Sequence, residues 1–149
     1  MKTFRSLQIV AGLLVLLAVV PAFAQVTGGS MGLSLTFTAP MAFNVQNTKL
    51  PAGAYTVSQL GVGQPNVLVL RSVKPGHEVL VEVSQMPSSP NDKAKSSQVT
   101  FSKYGNNDFL NEIWFVSDKK EGATRYQVLP TAAEKMQTGT PTKHSVAGK

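Results

Sequence analysis

Two histidines, eight acidic residues and no cysteine are a sparse set from which this 149-residue chain could build a general base or a metal site. Without cysteine there is no thiolate metal site, no thiol nucleophile, no disulfide and no lipid-modified thiol. His77 falls at the tip of the turn Lys74-Pro75-Gly76-His77 and His144 in a polar C-terminal stretch, so a Ser-His-Asp arrangement lacks a well-placed base. Two distant histidines, and carboxylates that nowhere take a calcium-loop spacing, give no metal site and no cofactor to expect. Carboxylate pairs four residues apart, Glu78 with Glu82 and Asp108 with Glu112, are what remains for catalysis, and their chemistry is glycoside hydrolysis. A small domain with so few charges is a poor frame for such a cleft, and Asn91-Asp92 and Asn106-Asn107-Asp108 read as turn formers. The expectation is a non-enzymatic domain with no catalytic residue.

Binding is better provided for. Tyr55, Tyr104, Phe109, Trp114, Phe115 and Tyr126 are enough aromatic surface to line a barrel mouth or stack on a sugar, although most belong by pattern to a core. Tyr104, Trp114, Arg71 and Glu112 are the residues expected to touch a ligand or partner. Arg71 lies among Glu78 and Glu82 across a hairpin. That is either a polar site or an exposed charge ladder worth at most about 1 kcal/mol per pair, and the ladder is the simpler reading.

The elements that must position these residues begin after an export signal. Lys2 and Arg5 precede the apolar run Leu7 to Val20, and Pro21-Ala22-Phe23-Ala24 carries the small-x-small pattern that a signal peptidase reads, so cleavage is expected after Ala24. The uninterrupted apolar stretch Leu13 to Val20 is short against the ~20 residues of a membrane span, so the processed chain is not expected to be an integral membrane protein. The whole chain has 14 Lys and Arg against 8 Asp and Glu; without Lys2 and Arg5 the excess is four. The basic residues are scattered or in loops and form no dense face, so nucleic acid is not an expected partner.

Residues 25–32 read as a flexible leader. From there short alternating segments follow one another: Leu33, Leu35 and Phe37; Phe43 and Val45; Tyr55 and Val57; Val67 to Val73; Glu78 to Val83; Val99 to Tyr104; Phe109 to Ser117; Thr124 to Leu129. Pro75 and Gly76 suit a type II bend, and a simple hairpin would set Leu70 opposite Val81 and gather Leu68, Leu70, Val79, Val81 and Val83 on a core face. In the next hairpin a plain register opposes Tyr104 to Phe109 and Val99 to Trp114, which places Glu112 and Trp114 with the core residues; a bulge would send Glu112 outward. Met86 to Ser97 is a long polar loop, either mobile or functional. Residues 131–149 read as a flexible tail with one helical turn around Ala132 to Met136. About eight strands and no long helix imply one all-β domain over residues 33–130, a single small antiparallel sandwich or a closed or partly open barrel.

Pro40-x-x-Phe43-x-Val45, Leu50-Pro51-Ala52-Gly53-x-Tyr55-Thr56-Val57, Phe101-x-x-Tyr104 and Phe109-Leu110-x-Glu112-Ile113-Trp114 together resemble a group of small exported bacterial β-proteins to which no activity is attached. The resemblance covers about residues 33 to 130; it implies the β fold and export and carries over no site residue. The function expected is an exported module, periplasmic or extracellular, that contacts a cell-envelope macromolecule. The alternative is a small barrel holding an apolar or sugar-like ligand, which needs a cavity of at least ~300 Å³ lined by several of those aromatics.

Overall fold

Alternation of apolar and polar side chains is what builds this molecule, because each strand can bury one face while its backbone pairs sideways. The computed structural model describes residues 32–61, 63–87, 96–116 and 123–149. The residues read as an export signal, nearly all of those read as a leader, and the middle of the stretch read as the Met86–Ser97 loop lie outside the described residues. Within them the strands are β1 (Ser34–Ala39), β2 (Phe43–Val45), β3 (Thr48–Leu50), β4 (Gly53–Gln59), β5 (Val67–Ser72), β6 (Glu78–Met86), β7 (Gln98–Tyr104), β8 (Asn107–Val116), β9 (Ala123–Val128) and β10 (Thr142–Ala147), with a short helix α1 (Ala132–Lys135) before the last.

All ten strands belong to one mixed sheet that is not closed into a barrel, an arrangement that fits an all-β sandwich. The first layer runs β1-β4-β5-β6, antiparallel throughout. Strand β6 then serves both layers: Glu78 to Glu82 pair with β5, while Val83 to Met86 pair with β9. In the second layer β8 is central, with β7 along one edge and β9 and β2 sharing the other. β2 meets β8 in parallel, the one exception to antiparallel pairing among the described strands.

Phe37, Phe43, Tyr55 and Phe101, drawn from four strands, interlock between the layers with ring centroids 5.2 to 6.4 Å apart. Around them Leu35, Val57, Leu68, Leu70, Val81, Val83, Val99, Leu110, Ile113, Phe115, Tyr126 and Val128 complete a single core. The Leu50-Pro51-Ala52-Gly53-x-Tyr55 segment is a corner of this core: Leu50 is buried, and the Tyr55 hydroxyl donates to the Pro51 carbonyl at 2.7 Å. Burial raises the Tyr55 phenol above its usual range.

Three expectations change. The β5–β6 hairpin keeps the expected core face, but its register is shifted by two residues, with Leu70 opposite Val79 and Arg71 directly opposite Glu78, so the connection between the paired positions is longer than the plain reading allowed. The turn region from Asn47 contains a strand, β3, which folds back on β2 through the two-residue turn Gln46-Asn47. Residues 131–149 are not a loose tail: β10 pairs with β7 over six residues, and the C-terminal residues reach β1. Thr36 and Lys149 exchange reciprocal backbone hydrogen bonds of 3.0 and 2.9 Å, and Gly148 approaches Leu35 so closely that a Cβ there would overlap its side chain. The composition of Thr142-Lys143-His144-Ser145-Val146-Ala147 hides this strand, because its backbone ladder supplies what its side chains do not. Among the described residues no helix is long and apolar enough to cross a membrane.

Candidate functional site

The site is set by one irregularity. Strand β7 pairs Thr100 with Glu112 but Phe101 with Leu110, so Asn111 is an extra residue in β8. Neither register read from the sequence places the bulge there. The hairpin turn is the two residues Gly105-Asn106, with Tyr104 opposite Asn107, and Val99 faces Ile113 rather than Trp114. Because the bulge reverses the alternation, Leu110, Ile113 and Phe115 enter the core, while Phe109, Glu112 and Trp114 share the opposite, outward face. The same reversal puts Asp108 and Glu112 on opposite faces despite their four-residue spacing, so that carboxylate pair does not converge. Of the other pair, Glu78 is bound to Arg71 on an exposed strand face.

On the outward face Glu112 is 8% exposed and is held by three donors. Arg125 of β9 grips it with both arms of its guanidinium, Nη2 to Oε1 at 3.0 Å and Nε to Oε2 at 3.2 Å. Trp114 Nε1 donates to Oε2 at 3.2 Å, and Lys143 of β10 reaches Oε1 at 3.2 Å. To arrive there Lys143 crosses β7, where its ladder partner is the small Ser102 and the next outward position is the small Thr100. The Thr100 and Ser145 hydroxyls are hydrogen-bonded at 3.0 Å alongside. The Arg125 guanidinium also lies 4.9 Å from the centre of the Trp114 ring, a cation–π stack. Burial alone would raise the Glu112 carboxyl, but the hydrogen bonds from Arg125, Lys143 and Trp114 together outweigh it and hold the group below the usual carboxylate range. A carboxylate so fully committed stays ionised and anchors three strands; it is not free to move protons.

Of the four residues singled out from the sequence, Glu112 and Trp114 are therefore in contact. Tyr104 lies farther along the same face, its ring edge-on to Phe109 at 5.9 Å. Arg71 belongs to the other layer, 2.7 Å from Glu78 and open to solvent, at a shallow depression of about 490 Å³ under the hairpin tip that includes His77. Sequence reasoning missed Arg125 and Lys143. Alternation with Tyr126 and Val128 does mark Arg125 as outward, but nothing marked β10 as a strand, so Lys143 left no signal.

A second pair was also missed. His144 stacks on Phe101 at 5.4 Å and 17°, and its Nε2 stands 3.7 Å from Asp108 Oδ1; both atoms are buried with no hydrogen-bond partner. Among the described residues no group of three or more histidines and carboxylates comes together in a way that could hold a metal ion. No family model, curated protein or solved structure matches the chain, so the reading of this site rests on its own geometry.

Proposed function

We propose that this chain is an exported, non-catalytic β-module of the cell envelope, periplasmic or extracellular, that works by touching a larger envelope molecule with the outward face of its second layer. The observation that carries the reading is how the aromatics are divided. Phe37, Phe43, Tyr55 and Phe101 are packed against one another between the layers, while Tyr104 stands half-buried on the opposite face of β7 and β8, which also carries the buried rings of Phe109 and Trp114. That face also carries Lys143, 56% exposed, and Arg125, so it offers aromatic, hydroxyl and cationic contacts side by side. Export is supported by the basic start, the apolar run and the Ala22-x-Ala24 ending of the chain, and the lack of cysteine suits a domain indifferent to the redox state outside the inner membrane.

Native mass spectrometry of the protein isolated from its host tests this reading. The expected species begins near Gln25 and carries no small apolar molecule. A mass that includes Met1, or a retained lipid-like ligand, would favour a cytosolic protein or the ligand-barrel alternative.

A further inference from the structure

Where the β2–β3 turn, the start of β8 and helix α1 meet, five carboxamide residues, Asn44, Gln46, Asn47, Asn107 and Gln137, line an open depression of about 280 Å³ together with Phe109 and Ala133. No charged side chain lines it. We infer that this depression is a binding site for one ring of a neutral, hydroxyl-rich saccharide. The inference rests on the envelope-contact reading only for the source of the sugar, an envelope polysaccharide.

Three observations point to hydroxyl groups. The volume lies just below the roughly 300 Å³ at which enclosed small-ligand sites begin, which suits a single ring rather than an extended molecule. The carboxamides are also unevenly committed. Asn44 Nδ2 donates to the Asp108 carbonyl at 3.1 Å and Gln137 Nε2 to the Ala133 carbonyl at 3.1 Å, so each of these two keeps its oxygen as an acceptor. Gln46 is the reverse, because its Nε2 donor is buried without any partner. A lining of free acceptors with one unspent donor, and no net charge, is matched by hydroxyl groups, which donate and accept on the same atom. An anion or cation would find no counter-charge there.

The third observation is backbone strain. Gln46 has φ 50° at the first position of a two-residue hairpin turn, a place that glycine ordinarily fills. Both its backbone conformation and its unmet donor cost stability, and a ligand oxygen relieves the second once the soft terminal torsion of the carboxamide turns toward the cavity. Phe109, one of the lining residues, meets Tyr104 edge-on at 5.9 Å, so a polymer ring seated here would leave its neighbours running past Tyr104 along the outward face.

The test is an NMR titration of the mature chain with neutral trisaccharides built from glucose, galactose or N-acetylglucosamine, followed on the side-chain NH₂ signals of the five carboxamides. The expected result is that at least one trisaccharide moves these signals with millimolar affinity, little changed by added salt. Gln46→Gly fits the positive φ, so it should keep or raise Tm while weakening binding about tenfold, and exposed Asn107→Ala should weaken it similarly. No shift of these signals at about 10 mM of any of the three sugars would overturn the site, as would unchanged affinity in both variants. Co-sedimentation with envelope fragments separates the two claims. Equal binding by wild type and Gln46→Gly keeps the envelope contact and removes the pocket from it. Sugar-induced shifts without sedimentation keep the pocket and remove the envelope.

Discussion

Arg71 and Glu78 on the first layer sit 2.7 Å apart with 64% and 53% of their side chains exposed, whereas Arg125 and Glu112 on the second layer sit 3.0 Å apart with 25% and 8% exposed. The shorter pair is the weaker one. Water solvates Arg71 and Glu78 nearly as well apart as together, so their attraction is largely cancelled. Glu112 has given up its water and depends on the guanidinium fork, the indole N–H and the Lys143 ammonium that replaced it. Distance alone therefore misidentifies which ion pair matters; burial and the number of donors decide.

Breaking the buried cluster should have the largest effect. Glu112→Ala leaves Arg125 and Trp114 without their acceptor and should cost about 3 kcal/mol in urea unfolding, the low end for a broken buried pair because Arg125 and Lys143 can still reach water. Gly148→Ala comes next: the new methyl group overlaps Leu35 where the C-terminus meets β1, which should cost about 1–3 kcal/mol and speed hydrogen exchange in β10 before the rest of the sheet.

The cluster should also reveal itself through pH. The folded-state pKa of Glu112 is lowered below its ordinary 4.5, so its contribution is complete above that value and is lost as pH falls through the folded pKa. Thermal melts of Glu112→Gln should show a shallower acid-side loss than wild type. Glu134 of α1 has the opposite sign, since burial raises its carboxyl; its contribution is complete below the unfolded value and is lost as pH rises through the folded one. Glu134→Gln should therefore gain stability at neutral pH. The smallest effect belongs to the exposed pair: Arg71→Ala should change unfolding free energy by less than about 0.5 kcal/mol, and a larger loss would undo the contrast between the two layers.

How much was legible in the sequence follows the same division. In the first layer, period-two alternation alone identified the core face of Leu68, Leu70, Val79, Val81 and Val83, because a one-face pattern survives an error of two residues in register. In the second layer it failed. Apolar residues stand on both sides of β8, from Phe109 to Phe115, and only the bulge at Asn111 decides which enter the core. Glu112 and Trp114 were recognised as chemistry without a face to place them on. Lys143 and His144 were invisible for a different reason: β10 is specified by its ladder to β7 and by Gly148 against Leu35, contacts distant in sequence.

The central claim is that the outward face of β7, β8, β9 and β10, and not the first layer or the interior, is the working surface. Hydroxyl-radical footprinting of the mature chain, free and bound to envelope fragments of its host, tests it most directly. The expected result is protection of Tyr104, with the exposed Leu80 and Val73 of the first layer modified equally in both states. Protection confined to Leu80 and Val73, or no difference between the two states, would contradict the claim.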